Sequence, residues 1–481
     1  MTVESIVPAG PRLVAVSNRV GPIKGVHAAG GLAVAVVGAL QRRGGVWFGW
    51  SGQTVDARPG QHEQALGRIR TCTIDLVKPD YDAYYGGYAN RCLWPVCHFR
   101  PDLIEYEPRY REGYDRVNRE FAHRLAPLLK PDDLVWVHDF HLIPLGQRLR
   151  EKNVRNAIGY FLHVPLPPPP LLATLPGHES LMQSLFAYDV VGFQTETDRR
   201  AFADYVTTRL GGTATADGRV HWNGHTVVSH AYPVGIDAHE FELLAQRAER
   251  EVTRMRTALH GRKQIIGVDR LDYSKGLLRR MAGFDALLDS HAEHRGQVEY
   301  LQIAPISRGE LGSYRSFRSE LDQWAARING RYADVDWTPV RYLNKTISRR
   351  SLAGLYRASH VGLVTPVRDG MNLVAKEYVA AQDPKDPGVL IVSEFAGAVH
   401  QMGAALRVNP YDVSAMGATL HEALVMRREE RVARHAELLR IVRSEDVTHW
   451  AETFLDDLKA VRAAVPSRVP RGGSVSLRRA K

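Results

Sequence analysis

The fold of this chain is decided by one stretch, Arg368-Asp369-Gly370-Met371-Asn372-Leu373-Val374-Ala375-Lys376-Glu377. It lies between an apolar run typical of a strand, Val361 to Thr365, and a run typical of a helix, Leu373 to Gln382. A strand that leads through a glycine turn into a helix is where an α/β protein holds a ligand, and the free N–H groups of the helix start attract a diphosphate. Asp369 and Glu377 are placed to accept hydrogen bonds from sugar hydroxyls and a ribose diol. The stretch alone is equally compatible with a capped helix and a solvated carboxylate.

Length and composition indicate a soluble cytoplasmic protein of two or three domains. The chain has 481 residues, of which 44% are hydrophobic and 24% charged. No window approaches the roughly 18–20 apolar residues of a membrane span, and the first twelve residues lack a signal-peptide pattern. Three cysteines, Cys72, Cys92 and Cys97, have no CxxC spacing, so we expect free thiols in a reducing compartment.

The net charge of +10 indicates anionic small-molecule substrates. Nucleic-acid binding is disfavoured because no basic stripe is interleaved with aromatic residues. Half of the excess charge lies in a Pro-, Gly- and Ser-rich segment, 465–481, which is predicted to be a disordered tail. Its cations are Arg468, Arg471, Arg478, Arg479 and Lys481.

In the first half of the chain, polar residues end three apolar runs. The runs are Leu13 to Arg19, Leu134 to Asp139 and Ala157 to His163. Because parallel strands present their carboxyl ends at one edge of a sheet, we expect the three final residues to lie close together at a ligand site. A metal site at His138, Asp139 and His141 is a less favoured alternative, since no further ligand cluster supports it.

Two further features of the first half suit a sugar phosphate. Gly30 and Gly31 precede a helix-like run and allow close approach of a phosphate, although the pattern is not the GxGxxG fingerprint. Residues 82–87 are predicted to form a loop that closes over a pocket. Aromatic rings suit either sugar stacking or the core, and this region has Trp47, Trp50, Tyr84, Tyr85, Tyr88 and Trp94.

A second strand–loop–helix series begins at Gln264. The loop after its first strand carries Arg270 and Lys275, and two cations beside a helix start form a strong diphosphate site. Arg308 is another cation that follows a strand-like run, Val298 to Ala304. No GxxxxGK[ST] loop and no GxSxG elbow is present, so a nucleotide-sugar transferase fits better than an ATPase or a serine hydrolase.

We therefore predict an α/β protein with two Rossmann-like doubly wound domains facing each other across a cleft. Residues 1–236 are expected to form the acceptor-binding domain and residues 237–449 the nucleotide-sugar domain. A helix at about 450–464 is expected to pack back on the first domain.

The chain resembles the α,α-trehalose-phosphate synthases, retaining transferases of the GT-B type in glycosyltransferase family 20. The resemblance runs from about Leu13 to Val461 and lies in the joint, ordered occurrence of many motifs. These are Val16-Ser17-Asn18-Arg19, Ala29-Gly30-Gly31-Leu32, Trp47-Phe48-Gly49-Trp50, Val137-His138-Asp139, Phe161-Leu162-His163-Val164-Pro165, Arg270-Leu271-Asp272-Tyr273-Ser274-Lys275-Gly276, Ser307-Arg308-Gly309 and the opening stretch.

The resemblance implies glucose transfer from UDP-glucose to glucose 6-phosphate, with no cofactor, no metal, no membrane or nucleic-acid partner, and assembly into dimers or tetramers. It implies an acceptor site of Arg19, Tyr85, Trp94, Asp139 and Arg308. It implies a donor site of Gly30, Gly31, His163, Arg270, Lys275, Ile347, Asp369, Gly370, Met371, Asn372, Leu373, Val374 and Glu377. The catalytic residues would be Asp139, His163, Arg270, Lys275 and Asp369.

The sequence leaves three alternatives open, namely another donor nucleotide, another acceptor and a protein that binds without catalysis. Ile347 stands where the family often has an aromatic residue near the uridine, which leaves GDP- and ADP-glucose open as donors. A sister transferase would use another acceptor, such as glycerol 3-phosphate, whereas a non-catalytic sensor would bind sugar phosphates without turnover. Because no carboxylate is clearly placed beneath the anomeric carbon, we favour front-face substitution over a double displacement.

Overall fold

The computed structural model describes residues 11–21, 31–306 and 312–464, except the side chains of residues 31–34, 312–314 and 464. The predictions for Gly30, Arg308 and the 465–481 tail fall outside these residues. The described strands form one ten-stranded and one six-stranded sheet.

The first sheet has the strand order β3-β4-β2-β1-β5-β6-β7-β10-β9-β8. Its strands are β1 Leu13–Arg19, β2 Gly45–Val55, β3 Gln61–Leu66, β4 Ile69–Val77, β5 Leu134–His138, β6 Ala157–Phe161, β7 Val190–Phe193, β8 Thr213–Ala214, β9 Arg219–Trp222 and β10 His225–Ala231. Along the sheet, seven adjacent strands are mutually parallel, namely β4, β2, β1, β5, β6, β7 and β10. Antiparallel strands complete the two edges, β3 on one side and β9 and β8 on the other. The order reverses between β1 and β5, and such a switch point opens a crevice at the carboxyl ends of the two strands.

The second sheet is wholly parallel, in the order β13-β12-β11-β14-β15-β16. Its strands are β11 Lys263–Val268, β12 Val298–Ile303, β13 Val340–Leu343, β14 Val361–Val364, β15 Val389–Ser393 and β16 Leu406–Val408. Its switch point lies between β11 and β14. The loop with Arg270 and Lys275 and the opening stretch therefore leave neighbouring strands at the same edge.

Helices cover both faces of each sheet. The α-helices are α1 Gly31–Arg43, α2 Lys78–Tyr81, α3 Trp94–Cys97, α4 Pro108–Leu125, α5 Leu145–Glu151, α6 Pro169–Leu172, α7 His178–Ser184, α8 Glu196–Tyr205, α9 Ala238–Arg247, α10 Glu249–Ala258, α11 Leu277–Ser290, α12 Gly312–Tyr332, α13 Arg349–Ala358, α14 Val374–Ala381, α15 Val413–Val425, α16 Arg428–Ser444 and α17 Val447–Ala464. The 3₁₀ turns are Pro101–Leu103, Ala126–Leu128, Phe140–Leu142, Leu185–Ala187, Tyr273–Lys275, Ala292–His294 and Gly397–His400. The prediction of two doubly wound α/β domains is confirmed.

The last helix, α17, lies against the first sheet although it follows the second sheet in sequence. The Phe454 ring stacks on Trp136 of β5, with centroids 4.7 Å apart, and Trp450 contacts the same indole. A Cβ added to Gly159 would lie 2.6 Å from the Phe454 ring, so β6 accepts this helix only because it carries glycine there. Aromatic residues at helical spacing thus join α17 to the first sheet.

The predicted loop at residues 82–87 is wrong, because this segment begins a π-helix, Asp82–Leu93. Tyr84 and Tyr88 are fully buried and pack on Tyr114 of α4, with centroids 5.8 and 4.8 Å away. A Cβ on Gly87 would lie 2.4 Å from Tyr110, so the glycine serves close helix packing and not a turn. Tertiary packing of the aromatic residues overrides the turn signal of two adjacent glycines.

In the described part of the chain, no helix combines the length and apolarity needed to cross a bilayer.

Candidate active site

The two switch points face each other, and backbone meets backbone between them. A Cβ built on Gly370 would lie only 2.1 Å from the carbonyl oxygen of His163, so this contact requires glycine. The Arg270 guanidinium lies over the Trp94 ring at 5.6 Å, and Arg368 lies over Phe99 at 4.1 Å. These contacts enclose a cleft with one wall from each sheet.

An ion pair joins the two loops of the second sheet. Lys275 Nζ, in a largely buried side chain, donates to Asp369 Oδ2. The Asp369 backbone is itself held by Phe395, whose carbonyl accepts from Asp369 N at 3.1 Å, and by Gly397, whose N–H donates to Asp369 O at 3.2 Å. The predicted donor residues Lys275 and Asp369 are therefore adjacent and fixed in position.

A fully buried arginine supports this pair from below. Arg280 donates to Asp269 Oδ2 at 2.5 Å, to Thr365 Oγ1 at 3.1 Å and to the Lys275 carbonyl at 3.1 Å. Asn372 Nδ2 donates to the other oxygen of Asp269 at 3.1 Å. One charged residue thus connects both loops, because it binds groups in each of them.

The start of α14 forms the far side of the donor loop. Asn372 has a left-handed backbone, with φ +67°, and its Oδ1 accepts from Val374 N at 3.2 Å. Met371 is buried, whereas Leu373 and Glu377 are half-buried. Burial raises the pKa of Glu377 to about 7, against the opposing effect of Arg349.

His163 is held as a neutral imidazole. Burial lowers its pKa to about 3. The Nε2 atom of His163 lies 3.2 Å from His138 Nδ1, and its Nδ1 atom lies 3.4 Å from Gln194 Nε2. The side-chain oxygen of Gln194 in turn accepts a hydrogen bond from Val234 N at 3.1 Å. An amide N–H facing Nδ1 makes that nitrogen the acceptor. Sequence analysis missed Gln194, although it directly follows β7 and obeys the same strand-end rule as Asp139 and His163.

Asp139 has a strained backbone at the β1/β5 switch point. Its φ of +76° and ψ of 166° lie in a region that is almost confined to glycine and costs about 1–3 kcal/mol. Its N–H donates to Phe161 O at 2.7 Å, and its Oδ1 accepts from His163 N at 3.3 Å. These bonds hold the carboxylate beside His163.

Aromatic rings and one exposed cation form the acceptor side. Arg19 lies over the Trp50 ring at 5.6 Å. The half-buried Tyr85 ring is parallel to that of His141, with centroids 5.8 Å apart, and also contacts Trp50 at 6.2 Å. The Nδ1 atom of His141 lies 3.9 Å from Asp139 Oδ2. This surface combines the half-buried Tyr85 with a cation and a carboxylate, which suits a phosphorylated sugar.

The predicted site residues fall into three groups. The structure places Arg19, Tyr85 and Asp139 along one wall, His163 and Gly370 at the contact, and Lys275, Asp369 and Glu377 along the other. Trp94 is buried, and its ring contacts the exposed Arg270. Ile347 lies between β13 and α13, where it is half-buried and packs against the core. Gly31 begins α1.

Sequence comparison finds close relatives of this chain. The model of glycosyltransferase family 20 matches residues 15–460. The trehalose-6-phosphate synthase of Cronobacter sakazakii is 46% identical over 459 residues, which covers 95% of this chain and 97% of the relative.

Solved structures agree with this finding. An α,α-trehalose-phosphate synthase (UDP-forming) from Burkholderia xenovorans, in complex with glucose-6-phosphate, is similar with a TM-score of 0.91 and 47% identity, covering 93% of this chain and 100% of that one. A trehalose-6-phosphate synthase structure from E. coli bound with UDP-2-fluoro glucose is similar with a TM-score of 0.89 and 44% identity, covering 93% and 99%. The chain belongs to glycosyltransferase family 20.

Proposed function

We propose that this protein transfers glucose from UDP-glucose to glucose 6-phosphate with retention, forming α,α-trehalose 6-phosphate and UDP. The observation that carries the proposal is the Lys275–Asp369 pair at one switch point, which faces the Arg19, Tyr85 and Asp139 wall at the other. The family supports the same reaction, because its relatives bear that name and one is solved with glucose-6-phosphate.

In this proposal the donor binds to the second sheet. The N–H groups at the start of α14 and the cations Arg270 and Lys275 receive the diphosphate. Asp369 accepts hydrogen bonds from hydroxyls of the donor glucose. Lys275, which is ion-paired with Asp369, neutralises the charge of the leaving group. Glu377 accepts from the ribose as a carboxylate. Gly30, Gly31, Ile347 and Gly370 to Val374 complete this site by family resemblance.

The acceptor binds to the first sheet. Arg19 receives the phosphate together with Arg308, which the family resemblance adds. Tyr85 and Trp94 line the sugar site, and Asp139 binds acceptor hydroxyls near the reacting centre. The relatives favour a hexose phosphate over a glycerol phosphate, because they are trehalose-6-phosphate synthases and one is solved with glucose-6-phosphate.

The proposed mechanism is front-face substitution. In the described structure the carboxylate of Asp369 is engaged by Lys275, which makes it a poor nucleophile. The diphosphate leaves towards Arg270 and Lys275, the acceptor hydroxyl attacks from the same face, and a leaving-group oxygen takes its proton. His163 stays neutral at physiological pH, so it donates or accepts a hydrogen bond at the donor glucose without adding charge.

We assign the acceptor domain to residues 1–236, the donor domain to residues 237–449, and α17 to the surface of the former. The contacts of Trp450 and Phe454 with β5 support this division. We further propose a cytoplasmic homo-oligomer, as the family suggests.

The test is purified protein with UDP-glucose and glucose 6-phosphate, assayed for UDP release and for the anomeric configuration of the product by NMR. GDP-glucose, ADP-glucose and glycerol 3-phosphate serve as competing substrates. Donor binding without any product would refute the transferase and favour a sensor, whereas turnover only with glycerol 3-phosphate would favour a sister enzyme.

Lys275→Ala tests the leaving-group role, with the exposed Lys385→Ala as control. We expect kcat to fall about 10²-fold or more in the first and to stay unchanged in the second, as for loss of an electrostatic stabiliser. Full turnover by Lys275→Ala would refute the mechanism. Activity should also persist when divalent metal ions are removed with a chelator. If chelation abolished activity and Mg²⁺ restored it, the proposal that Arg270 and Lys275 alone neutralise the leaving group would be contradicted.

A further inference from the structure

We propose that Lys376 is a positioning residue for the transfer reaction, because it fixes the imidazole of His163 through the chain that connects the two sheets. The connection is the linker, residues 232–237, which leads from β10 of the first sheet to α9. This role rests on the proposed function, in which His163 lies at the donor glucose. It adds to the site a buried lysine to which sequence analysis gave no role.

The backbone of Val234, in the linker, is held by two side chains that come from opposite sides of the cleft. The side-chain oxygen of Gln194, which follows β7 of the first sheet, accepts from Val234 N at 3.1 Å. Lys376 Nζ, in α14 of the second sheet, donates to Val234 O at 2.8 Å. Val234 is buried, so its two backbone polar groups depend on these side chains for their hydrogen bonds.

The connection continues from Gln194 to His163. Because the amide oxygen of Gln194 is occupied by Val234 N–H, the amide presents its own N–H to His163 Nδ1, at 3.4 Å. A rotation of the Val234 peptide groups would remove the bond that sets the orientation of this amide. His163 would then lose the neighbour that makes Nδ1 its acceptor nitrogen.

The burial of Lys376 indicates that it is not present for packing alone. Its side chain is 1% exposed, and within the residues that the structure describes, the Val234 carbonyl is the one hydrogen-bond acceptor of the ammonium. Burial lowers the pKa of Lys376 to about 8, against the opposing effect of Glu445. An apolar side chain of similar volume would avoid the cost of burying a charge, so the bond to the linker is what lysine adds at this position.

The rest of the linker is fixed by backbone contacts, which leaves the Val234 peptide groups to the two side chains. A Cβ on Gly235 would lie 2.3 Å from the carbonyl oxygen of Glu445, just before α17. Val447 N donates to Ile236 O at 3.1 Å. The linker therefore cannot shift as a whole, and Lys376 decides the orientation of its one adjustable residue.

The same lysine belongs to the helix that is proposed to receive the donor. Glu377, the next residue of α14, is proposed to hold the ribose, and the first turn of α14 the diphosphate. Lys376 thereby keeps the donor-binding helix and His163, on the opposite wall, in a fixed relation to each other.

Lys376→Met tests this role, because methionine fills most of the volume and lacks the donor group. Lys263→Met is the matched control, since Lys263 Nζ also donates to a backbone carbonyl, that of Leu424, at the opposite end of β11 from Arg270. We expect Lys376→Met to lower kcat about 10-fold and to raise the KM for UDP-glucose, as for a small misplacement at the reacting centre. The KM for glucose 6-phosphate should stay unchanged, and the control should keep wild-type kinetics.

A double variant separates one connected path from two independent effects. Lys376→Met and Gln194→Leu break the same path, so the protein that carries both should be no slower than the slower single variant. Losses in kcat that multiply in the double variant would overturn the proposal.

A second readout needs no turnover, namely the nitrogen NMR spectrum of protein that carries isotope-labelled histidine. The signals of His163 are identified by their absence in His163→Gln. We expect a protonated Nε2 and an unprotonated Nδ1 in the wild type and in Lys263→Met, and signals moved towards the average of the two tautomers in Lys376→Met. Unchanged His163 signals in Lys376→Met would overturn the proposal.

Two safeguards keep the test decisive. Lys376→Gln, whose shorter side chain is still polar, serves in place of methionine if Lys376→Met does not fold. A wild type that forms no product would refute the proposed function alone, because the NMR comparison would still show whether Lys376 positions His163.

Discussion

Replacing Arg280 with methionine tests whether one buried cation supports the whole donor site. Its guanidinium binds Asp269, Thr365 and the Lys275 carbonyl in the fully buried space between the two donor loops. Methionine fills most of the volume, so the variant removes charge and hydrogen bonds without opening a large cavity. The loss then falls on Asp269, whose carboxylate stays buried.

The size of the effect follows from what remains bound to Asp269. Removing one partner of a buried ion pair destabilises a protein by about 3–5 kcal/mol, because the other charge is left uncompensated. Asp269 retains the hydrogen bond from Asn372 Nδ2 at 3.1 Å, so we expect the lower end, about 3 kcal/mol. The variant also lacks the hydrogen bond that holds the Lys275 carbonyl, so Lys275 should be less well positioned. The KM for UDP-glucose should therefore rise more than the KM for glucose 6-phosphate.

The control lies one residue away on the same helix. Arg279 is exposed over the Tyr411 ring, so Arg279→Met should change the free energy of unfolding by less than about 0.5 kcal/mol. Urea unfolding followed by circular dichroism measures both variants, and initial rates at varied donor and acceptor give the two KM values. Equal stability of the two variants, or equal changes in both KM values, would refute the role assigned to Arg280.

Three further changes probe the cleft itself. Gly370→Ala should lower kcat/KM at least about 10-fold and also lower stability, because its Cβ would meet the backbone carbonyl of His163 and push the two walls apart; wild-type kinetics would contradict the contact. Gln194→Leu should lower kcat and weaken donor binding while the acceptor KM holds, since it frees the His163 ring; an unchanged donor affinity would exclude this positioning role. The KM for UDP-glucose should fall as pH rises through about 7, where Glu377 becomes a carboxylate, and Glu377→Gln should remove that slope. Burial raises this pKa in the folded state, so the contribution of Glu377 to stability should decline from about pH 4.5 to 7. The measurement is the free energy of unfolding of the ligand-free wild type minus that of Glu377→Gln, and a rise of this difference with pH would contradict the reasoning.

The sequence predicts the fold and the chemistry of the site for one physical reason. Buried parallel strands read as continuous apolar runs, and the residues that follow them reach one edge of the sheet. This rule alone places Asp139, His163, Arg270 and Asp369 in the cleft. It also covers Gln194, which sequence analysis passed over because an amide carries no charge to attract notice.

What the sequence does not predict depends on tertiary contacts. Arg280 lies in a helix pattern where an arginine normally faces solvent, and only the buried Asp269 explains its position. Gly86 and Gly87 in the 82–93 helix read as a turn, because the sequence does not show that the Tyr110 ring fills the space beside Gly87.

The contacts between the two walls differ in how they can change. Gly370 meets the His163 carbonyl through backbone, which cannot rotate away, whereas Arg270 rests on Trp94 through a long flexible side chain exposed to solvent. A diphosphate competes with an indole ring for that guanidinium and is the stronger partner, because charge-assisted bonds exceed a cation–π contact. Donor binding should therefore draw Arg270 off Trp94 and uncover the indole on the acceptor wall. The part of the UDP-induced fluorescence change that is lost in Trp94→Phe would report this step. The same part retained in Arg270→Ala at saturating UDP would show that Arg270 does not link the two substrates.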